Sequence, residues 1–418
     1  MRAAYFAIVL LVGPSFVAAA DWPQWRGPNR DGISAETGLL AKWPEGGPKM
    51  LWEAKGAGRG YASMSCVAGK VYTVGDTLST EESKDEFLIC VDAATGKTLW
   101  KAKLGKPYVN NNKQWESSRA TPTLDGDRLY ILTGNGEVIC LKTADGKEVW
   151  RKSLTADFGG KKGDGWGFSE SVLIEGDKAI CTPGGKTTMV ALDKMTGKTI
   201  WSAVLPQNPG AGHASIVMTE VGGTRVCVQT TQGFGLGVRA TDGKVLWTVE
   251  KIKATAVIPT PVVRGDLVLF AAGYNTGGTL VRQVPDGDGI KVETVYPLTK
   301  NLSNKHGGLV LVGDYLYGDS EDRGTPFCAE FKTGKEMWKK RGGDGSMSLI
   351  AAEGKLYTHF ADGTVALVEA TPSEYKVVSS FKVPHVGARP GWAHPIIADG
   401  KLFIRGEDYV RCYDVKAR

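Results

Sequence analysis

Only five histidines occur in 418 residues, and none of the seven cysteines falls in a Cys-x-x-Cys pair. A zinc ribbon and a covalently held c-type haem are therefore excluded. The formal charge is +6, but no Lys/Arg tract concentrates it, so a nucleic-acid footprint is missing. Beyond the first 20 residues no run is apolar enough to span a bilayer. No P-loop, HExxH, GxSxG or EF-hand pattern occurs. Gly233-Phe-Gly-Leu-Gly237 is glycine-rich but opens no helix, and Pro285-Asp-Gly-Asp-Gly289 lacks a full calcium ligand set and reads as a turn. What remains is ordinary globular composition, 42% hydrophobic and 23% charged. Its 55 glycines fall at turns between short apolar runs, the pattern of an all-β chain.

The first residues read as an export signal. Arg2 supplies the positive end, Tyr5–Val17 the apolar stretch and Ala18-Ala19-Ala20 the small residues before a cut at Asp21. No cysteine follows to carry a lipid. The expectation is a soluble periplasmic or extracellular protein with a leader over 1–20. Residues 21–48, rich in proline and glycine and holding Trp22, Trp25 and Trp43, read as an arm. It is expected to pack along the ring exterior or across one face, with its indoles buried.

One phrase then repeats. It reads CVDAATGKTLW at Cys90–Trp100, CLKTADGKEVW at Cys140–Trp150, ALDKMTGKTIW at Ala191–Trp201, GVRATDGKVLW at Gly237–Trp247 and CAEFKTGKEMW at Cys328–Trp338. Upstream of each lies an apolar strand, a Gly/Asp turn and a Leu/Val-Tyr strand, as in Thr121–Tyr130 and His394–Phe403. Related segments start near Ser65, Ser171, Ser215, Thr260, Gly308 and Ser348, making eight units of four short strands. The unit ends are Trp52, Trp100, Trp150, Trp201, Trp247, Tyr296, Trp338 and Phe381. The first has no unit before it, and the last unit, ending in Cys412-Tyr-Asp-Val-Lys416, lacks a final strand. The simplest solution is an eight-bladed β-propeller over 49–418, closed by the N-terminal strand joining the C-terminal blade, which removes open sheet edges. At the repeated indoles, packing between blades is expected in preference to ligand binding. Cys90, Cys140, Cys328 and Cys412 share a position that elsewhere holds Ala191 or Gly237. A tight site for a small residue is expected there, with free thiols instead of disulfides.

The phrase A-x-D-x-x-T-G-x-x-x-W resembles the tryptophan-docking motif of pyrroloquinoline-quinone (PQQ) type repeats. That family includes eight-bladed quinoprotein alcohol dehydrogenases and the BamB assembly lipoproteins. The similarity runs from about Leu51 to Lys416. Asp21-Trp-Pro-Gln-Trp-Arg-Gly-Pro-Asn-Arg-Asp-Gly32 is similar to the start of secreted PQQ-like propellers of planctomycete-type bacteria. The resemblance implies the fold and an envelope location. For the quinoproteins it also implies PQQ with calcium, an adjacent-cysteine disulfide and a Glu/Asn/Asp ligand set. This chain has no Cys-Cys pair, and that ligand set matches no residues one by one. The lipidated cysteine of BamB is likewise missing.

Function must then lie in the loops that enter each innermost strand. These inlet loops carry Tyr61, Trp115, Arg119, Trp166, Glu170, His213, His306, Trp392 and His394. Aromatics and polar groups converging on one concavity make a binding site, structural filling or a catalytic centre. Glu116 and Glu170 are candidate general bases. His213, His306 and His394 come from blades far apart around a ring, too distant to share a metal, and His359 and His385 read as core or solvated. The leading expectation is a monomeric, non-catalytic binding or assembly scaffold for an envelope protein, peptide or glycan, with no confident cofactor. The alternatives are a quinoprotein-like oxidoreductase and a secreted polysaccharide hydrolase or lyase.

Overall fold

The computed structural model describes residues 21–77, 85–110, 115–306, 308–384 and 390–417. Residues 1–20, where an export signal is expected, and His385 lie outside the described residues. Thirty-two strands form eight four-stranded antiparallel sheets, each built from sequence neighbours except one. In that one, β1 (Lys49–Lys55) pairs with β32 (Tyr409–Asp414), which completes the C-terminal blade as expected.

Each blade repeats one piece of side-chain logic. In the first blade, β4 (Glu86–Asp92) and β5 (Thr98–Gly105) flank the Asp-x-x-Thr-Gly turn. Asp92 Oδ1 accepts from the Thr95 backbone N–H and hydroxyl, both at 2.8 Å, and Gly96 adopts φ 72°. A left-handed residue there costs glycine little. The register slips by one between Cys90↔Trp100 and Val91↔Thr98, a β-bulge that recurs at Cys140, Ala191, Gly237 and Cys328. The small residue therefore sits directly across from the indole, where a β-carbon built on Gly237 would lie 2.2 Å from Trp247. All seven cysteines are free and buried, among them Cys90, Cys140, Cys328 and Cys412 at the repeated position, where packing thiols are expected.

The indoles join one blade to the next. Trp52 donates to the Ala93 carbonyl (3.1 Å), Trp150 to Lys194 (2.9 Å), Trp201 to Ala240 (3.1 Å) and Trp338 to Thr371 (2.8 Å). Tyr296 replaces them in the fifth blade, its hydroxyl donating to Phe331 at 3.2 Å. Trp100 and Trp247 pack in the same way, but their N–H groups find no acceptor. The Pro285–Gly289 segment is a hairpin turn pairing Asp286 with Gly289.

The arm crosses the ring at the hairpin-turn end of the inner strands. Trp22 pairs with Cys66, Pro23 accepts from Leu124, and Gly32 and Ser34 bond Ala351. Glu36 caps the Asp399–Gly400 turn, and Leu40 bonds Val415. Trp22 and Trp43 are buried.

Candidate functional site

The axis of the ring is lined by hydroxyls from successive blades. The Thr121 N–H donates to Ser171 Oγ (2.9 Å), that of Ser171 to Ser215 Oγ (3.0 Å) and that of Ser215 to Thr260 Oγ1 (3.4 Å). These bonds hold the inner strands in a belt. Above the belt the inlet loops surround a cavity of about 410 Å³. From below, the arm closes it. Trp25 lines the cavity and donates to Thr260 Oγ1 at 3.1 Å. Arg30 beneath it donates to Gln24 Oε1 (2.8 Å) and to the carbonyls of Ser171 (3.1 Å), Ile216 (2.9 Å) and Val172. The channel is thus a cup with a floor. Trp25 is the residue that sequence reasoning left out. Its two arm neighbours are buried, and nothing in a loop-rich segment marked it as reaching the axis.

Eight of the nine residues expected at the mouth line this cup: Tyr61, Trp115, Arg119, Trp166, His213, His306, Trp392 and His394. Trp392 stacks with Trp115 (5.0 Å between centroids, 1° between planes) and with His306 (3.8 Å, 22°). Tyr61 leans on Trp392 at 4.8 Å, and the Arg119 guanidinium lies 4.8 Å over the Tyr61 ring. His394 meets Trp25 edge to face at 4.6 Å, and neither of its ring nitrogens has an aligned hydrogen-bond partner. Burial pushes the His394 imidazole down to about 3, helped by the Arg26 charge.

Glu170 does not line the cup. It lies in the loop before the Leu173–Glu175 strand and points away from the cup, unlike its neighbours Ser169 and Ser171. There it accepts from the Thr182 N–H (2.7 Å), the Thr182 hydroxyl (3.0 Å) and Gln229 (3.1 Å). Burial raises its carboxyl to about 7, although Thr182 and Arg30 oppose the shift. Glu116 is also outside the cup, accepting from the Asn110 N–H at 3.1 Å, with Arg59 3.8 Å away. Neither acid can serve a ligand as a base from these positions. His359 is buried in the seventh blade.

Two polar clusters that were not visible as motifs face the cup. His213 Nδ1 is in hydrogen-bond contact with Ser169 Oγ, and its Nε2 lies 2.9 Å from Asp164 Oδ2. Burial, with Lys162 adding to it, pushes His213 down to about 4. Burial works against ionised Asp164, yet His213 and Lys162 hold it down at about 2. Across the cup, His306 Nδ1 lies 2.7 Å from Asp322 Oδ1 and 2.8 Å from Ser346 Oγ, and Lys305 pairs with Asp322. The members of each cluster come from loops of different blades, so no spacing rule could join them.

Residues 84–340 match the family described as outer membrane protein assembly factor BamB. The chain belongs to that family. Among individual relatives, it is 24% identical to the outer membrane protein assembly factor BamB of Nitrosomonas eutropha, over 71% of this chain and 68% of that one. It is 20% identical to a tetrathionate hydrolase of Acidithiobacillus ferrooxidans, over 96% and 83%. In three dimensions it is similar to BamB from Moraxella catarrhalis, with a TM-score of 0.59, 16% identity and 88% and 98% of the two chains covered. A quinohemoprotein alcohol dehydrogenase from Comamonas testosteroni gives a TM-score of 0.65 at 12% identity, over 96% and 81%. At such identities the likeness is one of fold.

The quinone that this fold family implies needs a metal and a disulfide beside it. Among the described residues no three His, Cys, Asp or Glu side chains are grouped so as to hold a metal ion. The thiols are buried through the blades. The cup offers aromatic faces but not the calcium ligands or disulfide expected of a quinoprotein, so the residues do not fit PQQ with calcium.

Proposed function

We propose that the chain is an exported envelope propeller that works as a binding or assembly scaffold, taking a peptide or glycan segment into the cup. In this reading residues 1–20 are the leader, 21–48 the arm and 49–418 the single propeller, acting as a monomer. One observation carries it: six indole or phenol rings and three imidazoles line a cup of about 410 Å³ whose floor is closed by the arm. That volume lies in the range of small-molecule sites. It suits the end of a chain or a few sugar rings better than a folded partner. The outer-membrane assembly factors among the relatives support the envelope role, and Arg2 with the apolar Tyr5–Val17 supports export. No helix among the described residues is long and apolar enough to cross a membrane.

The test is a titration of the mature protein with short peptides and glycan oligomers, followed by tryptophan fluorescence and calorimetry. A ligand of the cup quenches the indoles. Replacing Trp115 and Trp392 by alanine together is expected to weaken it at least tenfold, about 1.4 kcal/mol. Unchanged affinity in the folded double variant, or no ligand in either class, sinks the reading.

A further inference from the structure

Ser169, His213 and Asp164 are held together by two inlet loops that the backbone packs tightly. Lys162 bridges Ala211, Ala211 bridges Thr231, and Gly184 bridges Gly210. A β-carbon on Gly210 would lie 2.5 Å from the Gly163 backbone, and one on Gly184 2.2 Å from the Ala211 nitrogen. Only glycine lets these loops meet so closely. The His213 backbone N–H is fixed on the Val257 carbonyl at 2.7 Å, and Asp164 Oδ1 accepts from the Trp166 backbone N–H at 3.1 Å. His213 thus contacts a hydroxyl at Nδ1, and its Nε2 lies 2.9 Å from the Asp164 carboxylate, close but without the alignment of a hydrogen bond. Ser169 and His213 both face the cup.

The opposite cluster contains the same residue types and lacks the arrangement. Ser346 and Asp322 both approach Nδ1 of His306, so no proton path runs through that ring. Ser346 is buried and does not line the cup. Of the two clusters, the Ser169 set pairs an accessible hydroxyl with a base whose far nitrogen lies beside a carboxylate, an order of groups that needs only a small ring rotation to become that of an activated nucleophile.

We propose that Ser169 is a nucleophile for acyl transfer, with His213 as general base and Asp164 orienting it, and that the cup cleaves carboxylic esters. The Ser169 Oγ–H bond breaks as Oγ bonds the ester carbonyl carbon, and the proton passes to His213 Nδ1. Asp164 then faces an imidazolium. As the carbonyl re-forms, the C–O bond to the alcohol breaks and the alcohol leaves with that proton. Water, deprotonated by the same nitrogen, releases the acid and restores Ser169. No redox partner is needed. Arg119, held by the Trp115 and Trp166 carbonyls, and Lys305 line the same cup and give it positive charge to oppose a developing oxyanion. The neutrality of His213 at neutral pH, caused by burial, keeps it able to accept the proton.

The inference uses the cup of the scaffold reading but tests separately from it. The mature protein is treated with a fluorophosphonate probe and digested for mass spectrometry, and hydrolysis of p-nitrophenyl acetate is followed in parallel. One adduct, on Ser169, is expected. Ester hydrolysis should fall on the order of 100-fold in Ser169→Ala and in His213→Gln. The wild-type adduct needs no variant to fold, and both reagents are small enough to need no stacking on Trp115 or Trp392. Labelling without any peptide or glycan ligand would sink the scaffold reading alone. Ligand binding without a Ser169 adduct, or ester turnover unchanged in folded Ser169→Ala, overturns the nucleophile.

Discussion

At Cys140 the side chain is small because Trp150 lies across the ladder, and at Gly237 it is absent because Trp247 comes closer still. One residue thus decides how near an indole approaches its own sheet, and its neighbour's backbone decides whether the N–H is satisfied. Glu170 shows the same dependence on surroundings for charge. Its carboxyl ordinarily titrates at 4.5, the value expected of the unfolded chain, but burial holds it near 7 in the fold. Between these values the native state keeps a proton that the unfolded state has lost. Its contribution to stability therefore falls as pH rises through that window and is level above about 7. Glu170→Gln removes this loss. Relative to the native chain, the variant should gain on the order of 3 kcal/mol between pH 5 and pH 8. Denaturant unfolding of both proteins at the two pH values reads the difference. His213, lowered by burial to about 4, has the opposite slope, losing stability as pH falls from 6.5. Taking variant minus native cancels it. A difference that does not change with pH would mean that Glu170 is ionised in the fold at neutral pH.

The arm shows how an element without regular structure can organise a site. It has isolated bridges but no strand, so its hold comes from side chains and single backbone bonds. Arg30 is the strongest of these, because its buried guanidinium ties the third blade to the fourth through three carbonyls and braces Gln24 in the arm itself. Arg30→Met would keep the length and lose the donors. The Ser171, Val172 and Ile216 carbonyls would be left without this partner in a dry interior, and Glu170 would lose a neighbouring charge. A cost of about 3–5 kcal/mol is expected, as for breaking a buried ionic network. The unfolding midpoint in guanidinium measures it, and a loss under 1 kcal/mol would show that the floor of the cup is held by Trp25 and the backbone bonds alone. The bulge is the contrasting element. It is local and repeated, and it turns Leu99, Val149, Ile200 and Met337 outward, which explains why these four blades show an exposed apolar residue beside the packed indole.

For the whole molecule, the repeated phrase made the blades legible because every copy solves the same packing problem, and the unmatched Trp52 made the closure legible because a ring leaves no strand unpaired. The mouth was legible only as a set of loops. Eight residues reached the cup because inlet loops must face the axis, whereas Glu170 turned into the blade toward Thr182 and Gln229, contacts that no repeat encodes. The Ser169–His213–Asp164 contact and the Trp25 floor depend on which loops touch across blades, which spacing does not report. Closure also carries a consequence for solubility. The ring is held shut by β1, in which Ala54 faces Val410 and Glu53 pairs with Arg411 at 2.7 Å. In an antiparallel pair alternate residues direct their N–H groups at the partner, so of two consecutive residues one must do so. The double variant E53P/A54P therefore removes a ladder bond whichever it is, and the rings force the strand off β32, at a cost of about 3 kcal/mol or more. The edge of β32 is then open to another chain. Self-association that grows with protein concentration should appear in light scattering, together with a lower unfolding midpoint. If E53P/A54P stays monodisperse with an unchanged midpoint, β1 is a passive cover and the ring must be closed by the contacts of Trp52 and Arg405 with the first blade.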